Sequence, residues 1–234
     1  MSKPRPLQGP TKPPASRREA ELLVILLHGL GADGNDLLGL VPYWAPHLHA
    51  AEFSSPHAPE RCDMAPYGHQ WFSLQNREPE AILAGAERSA PVLNEFIDYE
   101  LERLGLDDTR LALVGFSQGT MMSLYVGLRR ERPPAAIIGF SGSLVAPDLL
   151  ANEIKVRPPV MLVHGDADEI VPIQALHETV AGLSSAGVGV IWHICSGMGH
   201  QIDETGLEMA RDFLSAHLLG PGYDIPLSAT ATAI

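Results

Sequence analysis

The sequence predicts an α/β fold, a mostly parallel and doubly wound sheet flanked by helices. Three observations lead there. Aliphatic runs alternate with stretches of helical periodicity along most of the chain. The first run, Leu22–Leu27, is unbroken, as in a strand buried on both faces. Another, Leu111 to Val114, leads straight into Gly115-Phe116-Ser117-Gln118-Gly119 and then a helical pattern, so a strand, a tight turn and a helix follow one another.

Residues 1–18 carry Pro4, Pro6, Pro10, Pro13 and Pro14 among scattered Lys and Arg. They are expected to form a flexible Pro-rich leader, part of which can lie along the body as an edge strand. A signal peptide is not expected, because its apolar region would have to be the strand Leu22–Leu27 itself. The α/β domain is expected over 19–219. Its strands lie near 21–28, 51–55, 110–116, 135–141, 159–165 and 188–195, and its helices near 81–104, 117–131, 173–185 and 203–218. Pro91 predicts a kink in the first of these helices. Gly220-Pro221-Gly222 ends the last helix, and 220–234 is expected to be a flexible tail. No internal repeat and no second domain is visible. Only 142–158 separates two consecutive strands after the serine turn, too little for a cap domain.

Composition narrows the function. The 234 residues carry a formal net charge of −12, which argues against nucleic acid or an anionic membrane as partner. No apolar stretch approaches the ~18 residues that span a bilayer, so no stable membrane anchor is expected. Two cysteines, Cys62 and Cys195, provide no disulfide framework and suit a reducing cytoplasm. Among ten histidines there is no H-E-x-x-H, and His47-x-His49 lacks an acid or cysteine at ligand spacing. Neither a metal nor a cofactor is expected. A homodimer stays open.

The chemistry starts at Ser117. A serine hydroxyl needs a base and an exposed backbone position to act as a nucleophile, and glycines on both sides permit the sharp turn that lifts it above the sheet. Downstream, the strand Val160-Met161-Leu162-Val163 runs into Asp166 and Asp168, and the strand 188–194 runs towards Gly199-His200. Serine, acid, histidine is the chain order of α/β-hydrolases, and each residue would project at the carboxyl rim of one sheet. Ser117 would attack the acyl carbon, His200 would shuttle its proton, and one of the two aspartates would orient the imidazole. After the first strand, His28-Gly29-Leu30-Gly31-Ala32-Asp33-Gly34 is a bend able to aim backbone N–H groups at an oxyanion. The candidate donors are Leu30 and Gln118. His28 and His164 each end a strand before glycine and are expected to hold the bend through hydrogen bonds.

The spacing Gly29-x-Gly31-x-x-Gly34 also matches a dinucleotide fingerprint. Pro42 and Pro46 leave no room for the long helix that motif requires, and Glu52 precedes its strand where the ribose acid should follow one.

Together, the 28–36 segment, Ser55-Pro56-His57-Ala58-Pro59, Gln70-Trp71-Phe72, Gly115-Phe116-Ser117-Gln118-Gly119, His164-Gly165-x-x-Asp168-x-x-Val171-Pro172 and Gly199-His200 resemble the phospholipase/carboxylesterase family of α/β-hydrolases. This family also holds the acyl-protein thioesterases. The resemblance spans about residues 20 to 218. It implies a serine esterase with triad Ser117, Asp168 and His200, favours Asp168 over Asp166, and implies oxyanion amides at Leu30 and Gln118. One residue departs from the thioesterase pattern: Ser73 stands where those members usually carry aspartate after the Trp-Phe pair. The N-terminal cysteine that eukaryotic members use for lipid attachment is also missing. Both favour a carboxylesterase acting on small esters of short to medium acyl chains, with thioesterase or lysophospholipase-type activity as the alternative. The irregular segment 57–80 is rich in Pro and aromatics, and is expected to wall an open site. Trp71, Phe72 and Met64, with Leu144 in the later loop, are the candidate substrate contacts.

Overall fold

The computed structural model describes residues 5–220. Among the described residues nine strands form: β1 Thr11–Lys12, β2 Leu22–Leu27, β3 Ala51–Ser54, β4 Glu60–Arg61, β5 His69–Gln70, β6 Leu111–Phe116, β7 Ala136–Phe140, β8 Val160–Gly165 and β9 Val190–Cys195. Six α-helices join them: α1 Val41–Trp44, α2 Pro79–Leu104, α3 Gln118–Gly127, α4 Pro147–Glu153, α5 Gln174–Ser185 and α6 Glu204–Leu219. Seven of the strands make one sheet in the order β1-β3-β2-β6-β7-β8-β9, parallel throughout except for β1. The expected doubly wound α/β architecture is therefore present, and α4 with its short flanks is all that lies between β7 and β8. No cap domain interrupts the described residues.

The unbroken aliphatic runs are explained by the two-sided sheet. Along β2, Leu23, Ile25 and Leu27 join the core made with Leu93, Phe96 and Ile97 of α2, Met122 of α3 and Leu176 of α5. The alternate residues Leu22, Val24 and Leu26 join the opposite core with Val41 and Trp44 of α1 and Phe213 and Leu214 of α6. Each such side chain contributes about 1.5–3 kcal/mol on burial, so any one-residue slip of β2 would exchange two well-packed sets at once. The register pairs Leu27 with Gly115 and Phe116 with Phe140, bringing the ends of β2, β6 and β7 level.

Three local features add to the expectation. The α2 helix runs unbroken from Pro79 to Leu104 with Pro91 inside it. The α3 helix stops at Gly127, a turn earlier than its apolar pattern suggests. The leader packs from Arg5 onward: Leu7 is buried, β1 pairs antiparallel with β3, and the N–H groups of Ser55 and His57 donate to the carbonyls of Pro10 and Gln8. Without β1, β3 would be the sheet edge with open backbone donors, and a residue such as Pro10 can still serve there because only its carbonyl is needed. Arg5 secures this segment, donating from Nε to Glu100 at 2.7 Å and from Nη2 to Ser54 Oγ at 2.8 Å. The expected tail lies, apart from Gly220, outside the described residues.

Candidate active site

Ser117 sits at the break between β6 and α3 with φ 55° and ψ −116°. That backbone is costly for a residue with a Cβ and persists only when its surroundings enforce it. Here Ser117 N–H donates to the Phe140 carbonyl at 2.8 Å, and Thr120 Oγ1 lies 2.9 Å from the carbonyl oxygens of Gly115 and Phe140. Two glycines make the turn sterically feasible: a Cβ on Gly119 would overlap the Leu27 carbonyl, and one on Gly115 would overlap the Gly119 backbone. The start of α3 therefore presses against the end of β2.

Asp168 follows β8 and is buried. Its Oδ1 accepts the N–H groups of Ile170 and Val171, each at 2.9 Å, and its Oδ2 lies 2.7 Å from His200 Nδ1. Burial alone would raise its pKa, but the Val171 N–H, His200 and the Ile170 N–H outweigh that and hold the carboxyl below its ordinary value. His164 Nε2 donates to the Val171 carbonyl at 2.7 Å and lies 3.5 Å from Asp168 Oδ2, so it pins the same loop. Asp166 is exposed and accepts the Gly197 N–H at 2.6 Å. It ties down the loop that carries the histidine without touching the imidazole.

His200 comes from the connection between β9 and α6, and its ring packs on Phe116 with centroids 4.8 Å apart. Because Phe116 directly precedes Ser117, this contact brings the imidazole to the serine turn. The third element is the bend after β2. A Cβ on Gly29 would stand 3.2 Å from Ser117 Cβ, so the chain leading to Leu30 passes directly beside the nucleophile. Gln118 is the first residue of α3, where N–H groups lack intrahelical acceptors. The fold thus brings Ser117, Asp168, His200, Leu30 and Gln118 to one rim.

The expected substrate contacts divide. Trp71 and Phe72 are fully buried and cannot wall an open site. Phe72 fills the space beside Gly85, where a Cβ would stand 2.6 Å from its ring. Trp71 spends its polar groups on the protein: its N–H donates to Gln118 Oε1 at 2.9 Å, its indole Nε1 donates to the His28 carbonyl at 3.0 Å, and its carbonyl accepts Ser89 Oγ. Met64 is exposed beyond β4. Leu144 does line a groove of about 620 Å³, together with Ile82, Leu83, Met121, Val145 and Leu149. The groove begins one turn of α3 from Ser117, since the Met121 N–H donates to the Ser117 carbonyl at 3.3 Å. Ile82, Leu83 and Met121 escape detection in the sequence, because apolar residues at helical spacing look alike whether they face a core or a groove.

The sequence pattern of the phospholipase/carboxylesterase family matches residues 14–218. An acyl-protein thioesterase 1 from Gibberella zeae is 30% identical over 223 residues, covering 88% of this chain and 94% of that protein. Esterase YpfH of Escherichia coli K12 is 29% identical, covering 95% of this chain and 91% of its own length. The crystal structure of esterase PE8 matches with a TM-score of 0.87 at 43% identity, covering 91% of this chain and 99% of that one. The chain belongs to the phospholipase/carboxylesterase family.

Proposed function

We propose that the protein is a serine carboxylesterase that uses Ser117, His200 and Asp168 through an acyl-enzyme intermediate. The observation that carries this reading is the 2.7 Å bond between Asp168 Oδ2 and His200 Nδ1 at the rim where the strained Ser117 turn lies. With Nδ1 committed to the carboxylate, Nε2 is the nitrogen left to take the Ser117 proton. The freed oxygen attacks the ester carbonyl carbon, and the N–H groups of Leu30 and Gln118 receive the charge that develops on the carbonyl oxygen. Collapse of the tetrahedral intermediate expels the alcohol, which takes the proton from His200 and leaves the acyl group on Ser117. Water then repeats the sequence, giving up a proton to His200, and releases the carboxylic acid with Ser117 restored.

The groove bounded by Met121 and Leu144 supports an acyl chain of short to medium length, because its ~620 Å³ falls within the range of sites that enclose small ligands. Names of relatives speak for both ester classes, an esterase in one case and an acyl-protein thioesterase in another. Ser73, which stands where an aspartate would match the thioesterase pattern, favours the oxyester. Two free cysteines favour a cytoplasmic location. Labelling with a fluorophosphonate, followed by peptide mass spectrometry, tests the mechanism: modification is expected on Ser117, and turnover by a Ser117→Ala enzyme would overturn it. An oxyester and a thioester of the same acyl chain, compared by kcat/KM, decide between the two substrate classes.

A further inference from the structure

Both proposed oxyanion donors lead back to one buried residue, Trp71, Gln118 through the Trp71 main-chain N–H and Leu30 through the indole. The side chain of Gln118 accepts the Trp71 N–H at 2.9 Å through Oε1 and donates from Nε2 to the Phe72 carbonyl at 2.8 Å. The indole N–H of Trp71 reaches the His28 carbonyl at 3.0 Å. The ring of His28 continues the chain: Nε2 lies 3.0 Å from the Ala58 N–H, and Nδ1 lies 2.7 Å from the Gly29 carbonyl oxygen. A backbone N–H can only donate, so Nε2 must be the bare nitrogen and Nδ1 must carry the proton. Burial supports the neutral ring, pushing its pKa down to about 4.

The direction of the last bond is what matters. The peptide between Gly29 and Leu30 is trans, as are all the described peptide bonds, and a planar trans peptide points its C=O and N–H in opposite directions. His28 is fully buried, so its grip turns the Gly29 carbonyl inward and the Leu30 N–H outward. The backbone at Gly29 passes beside Ser117 Cβ, as described above, which puts that outward N–H at the nucleophile's side of the rim. Without the His28 proton the peptide could rotate, trading its N–H for a carbonyl oxygen facing the developing negative charge.

We propose that Trp71 and His28 form a clamp that positions the Leu30 and Gln118 amides against each other, making both positioning residues for the oxyanion hole. The proposal rests on the esterase reading above and adds to it. Neither residue touches substrate: the clamp acts through the two backbone amides. It also gives Trp71, which the fold removes from the pocket wall, a part in the reaction.

Two substitutions of similar polarity separate positioning from mere support. In His28→Asn the amide nitrogen falls where Nδ1 was, keeping the bond to the Gly29 carbonyl and losing the acceptor for Ala58. In His28→Gln the amide group falls where Nε2 was, keeping the Ala58 bond and losing the grip on Gly29. Each variant forfeits one hydrogen bond, so a structural role would affect both alike. The clamp predicts kcat at least roughly tenfold higher in His28→Asn than in His28→Gln, because a missing oxyanion donor costs about 10²–10³ in kcat and a peptide freed to rotate still spends part of its time in the donating orientation. KM should stay within a few-fold, while affinity for a trifluoromethyl ketone, which builds an oxyanion on Ser117, should fall in step with kcat. Trp71→Phe, which keeps a buried ring and removes only the indole N–H, should shift kcat and ketone affinity in the same direction as His28→Gln. Equal kcat in the two His28 variants, whether both high or both low, would overturn the clamp. Fluorophosphonate labelling of Ser117 keeps the two levels apart: a labelled serine with equal His28 variants removes only the clamp, whereas an unlabelled Ser117 removes the esterase reading beneath it.

Discussion

Asp168 divides its two oxygens between different tasks: Oδ1 accepts two backbone N–H groups of its own loop, and Oδ2 faces His200 Nδ1 at 2.7 Å. The first pair fixes the carboxylate, and the fixed carboxylate selects the imidazole tautomer. Asp166, two residues earlier, bonds only to the backbone of the histidine loop. The two aspartates should therefore differ sharply on substitution. Ser117→Ala and His200→Ala should each lower kcat by about 10⁶, and Asp168→Asn by about 10⁴, since members of a triad act as one unit. Asp166→Asn, at an exposed site, should change kcat only a few-fold. Steady-state rates on one aryl ester suffice, and equal losses at the two aspartates would reverse the assignment.

Acid should destabilise the fold through His28. Its pKa is lowered from 6.5 to about 4, chiefly by burial, with His69 and His57 adding to the shift and the Gly29 carbonyl and Asp33 opposing it. The unfolded chain takes up this proton near 6.5, while the folded one resists until about 4. The associated stability is therefore present above the unfolded value and is lost as pH falls through that window, by about 3 kcal/mol. Asp168, whose carboxyl is also held low, adds its own loss further into acid. Melting temperatures from neutral pH down to about 4 should show a slope that flattens in His28→Asn; an unchanged slope would assign the acid loss to other groups.

Trp71→Ala removes a fully buried indole and its hydrogen bond to the His28 carbonyl. The cavity should cost about 3–5 kcal/mol of stability. Because the ring lies inside the protein, esters of every acyl length should lose activity alike. A thermal melt beside a chain-length series measures both. A loss confined to long esters would return Trp71 to the pocket wall.

The groove next to Met121 predicts the opposite pattern. Met121→Trp would fill space that a long acyl chain needs and leave the serine turn in place. Acetates should keep kcat/KM within a few-fold, whereas octanoates should fall by roughly 10–200-fold, the cost of about one methylene's worth of contact. An equal loss on both would show that acyl chains lie elsewhere.

Arg5→Ala should destabilise the protein although it lies in the leader. It removes one of the two arginines on the buried carboxylate of Glu100, leaving Arg103. The expected loss is about 2 kcal/mol, as for one charged hydrogen bond. Urea denaturation measures it; no change would mean that the Arg5 side chain adds nothing to stability.

What the amino-acid order determined by itself is whatever repeats or recurs locally. Leu22–Leu27 and Leu111 to Val114 read as strands covered on both faces, and the glycines around Ser117 permit a sharp turn from strand to helix. The succession of serine, acid and histidine at three strand ends then follows from the parallel sheet, which carries all three to the same rim. Tertiary structure decided everything that depends on which way a side chain faces. Asp166 and Asp168 share one loop, and only the path of that loop turns the second towards His200. Trp71 and Phe72 in a long irregular segment are equally suited to a pocket wall or a core. They became core because Gly85 leaves room for the phenyl ring, and because Gln118 and His28 supply partners for the Trp71 N–H groups. The leader, whose prolines left open whether it is loose or lies along the body, is held because β3 and the residues after it offer donors that the Pro10 and Gln8 carbonyls meet. Such partners lie far away in sequence, and no local pattern of residues records them.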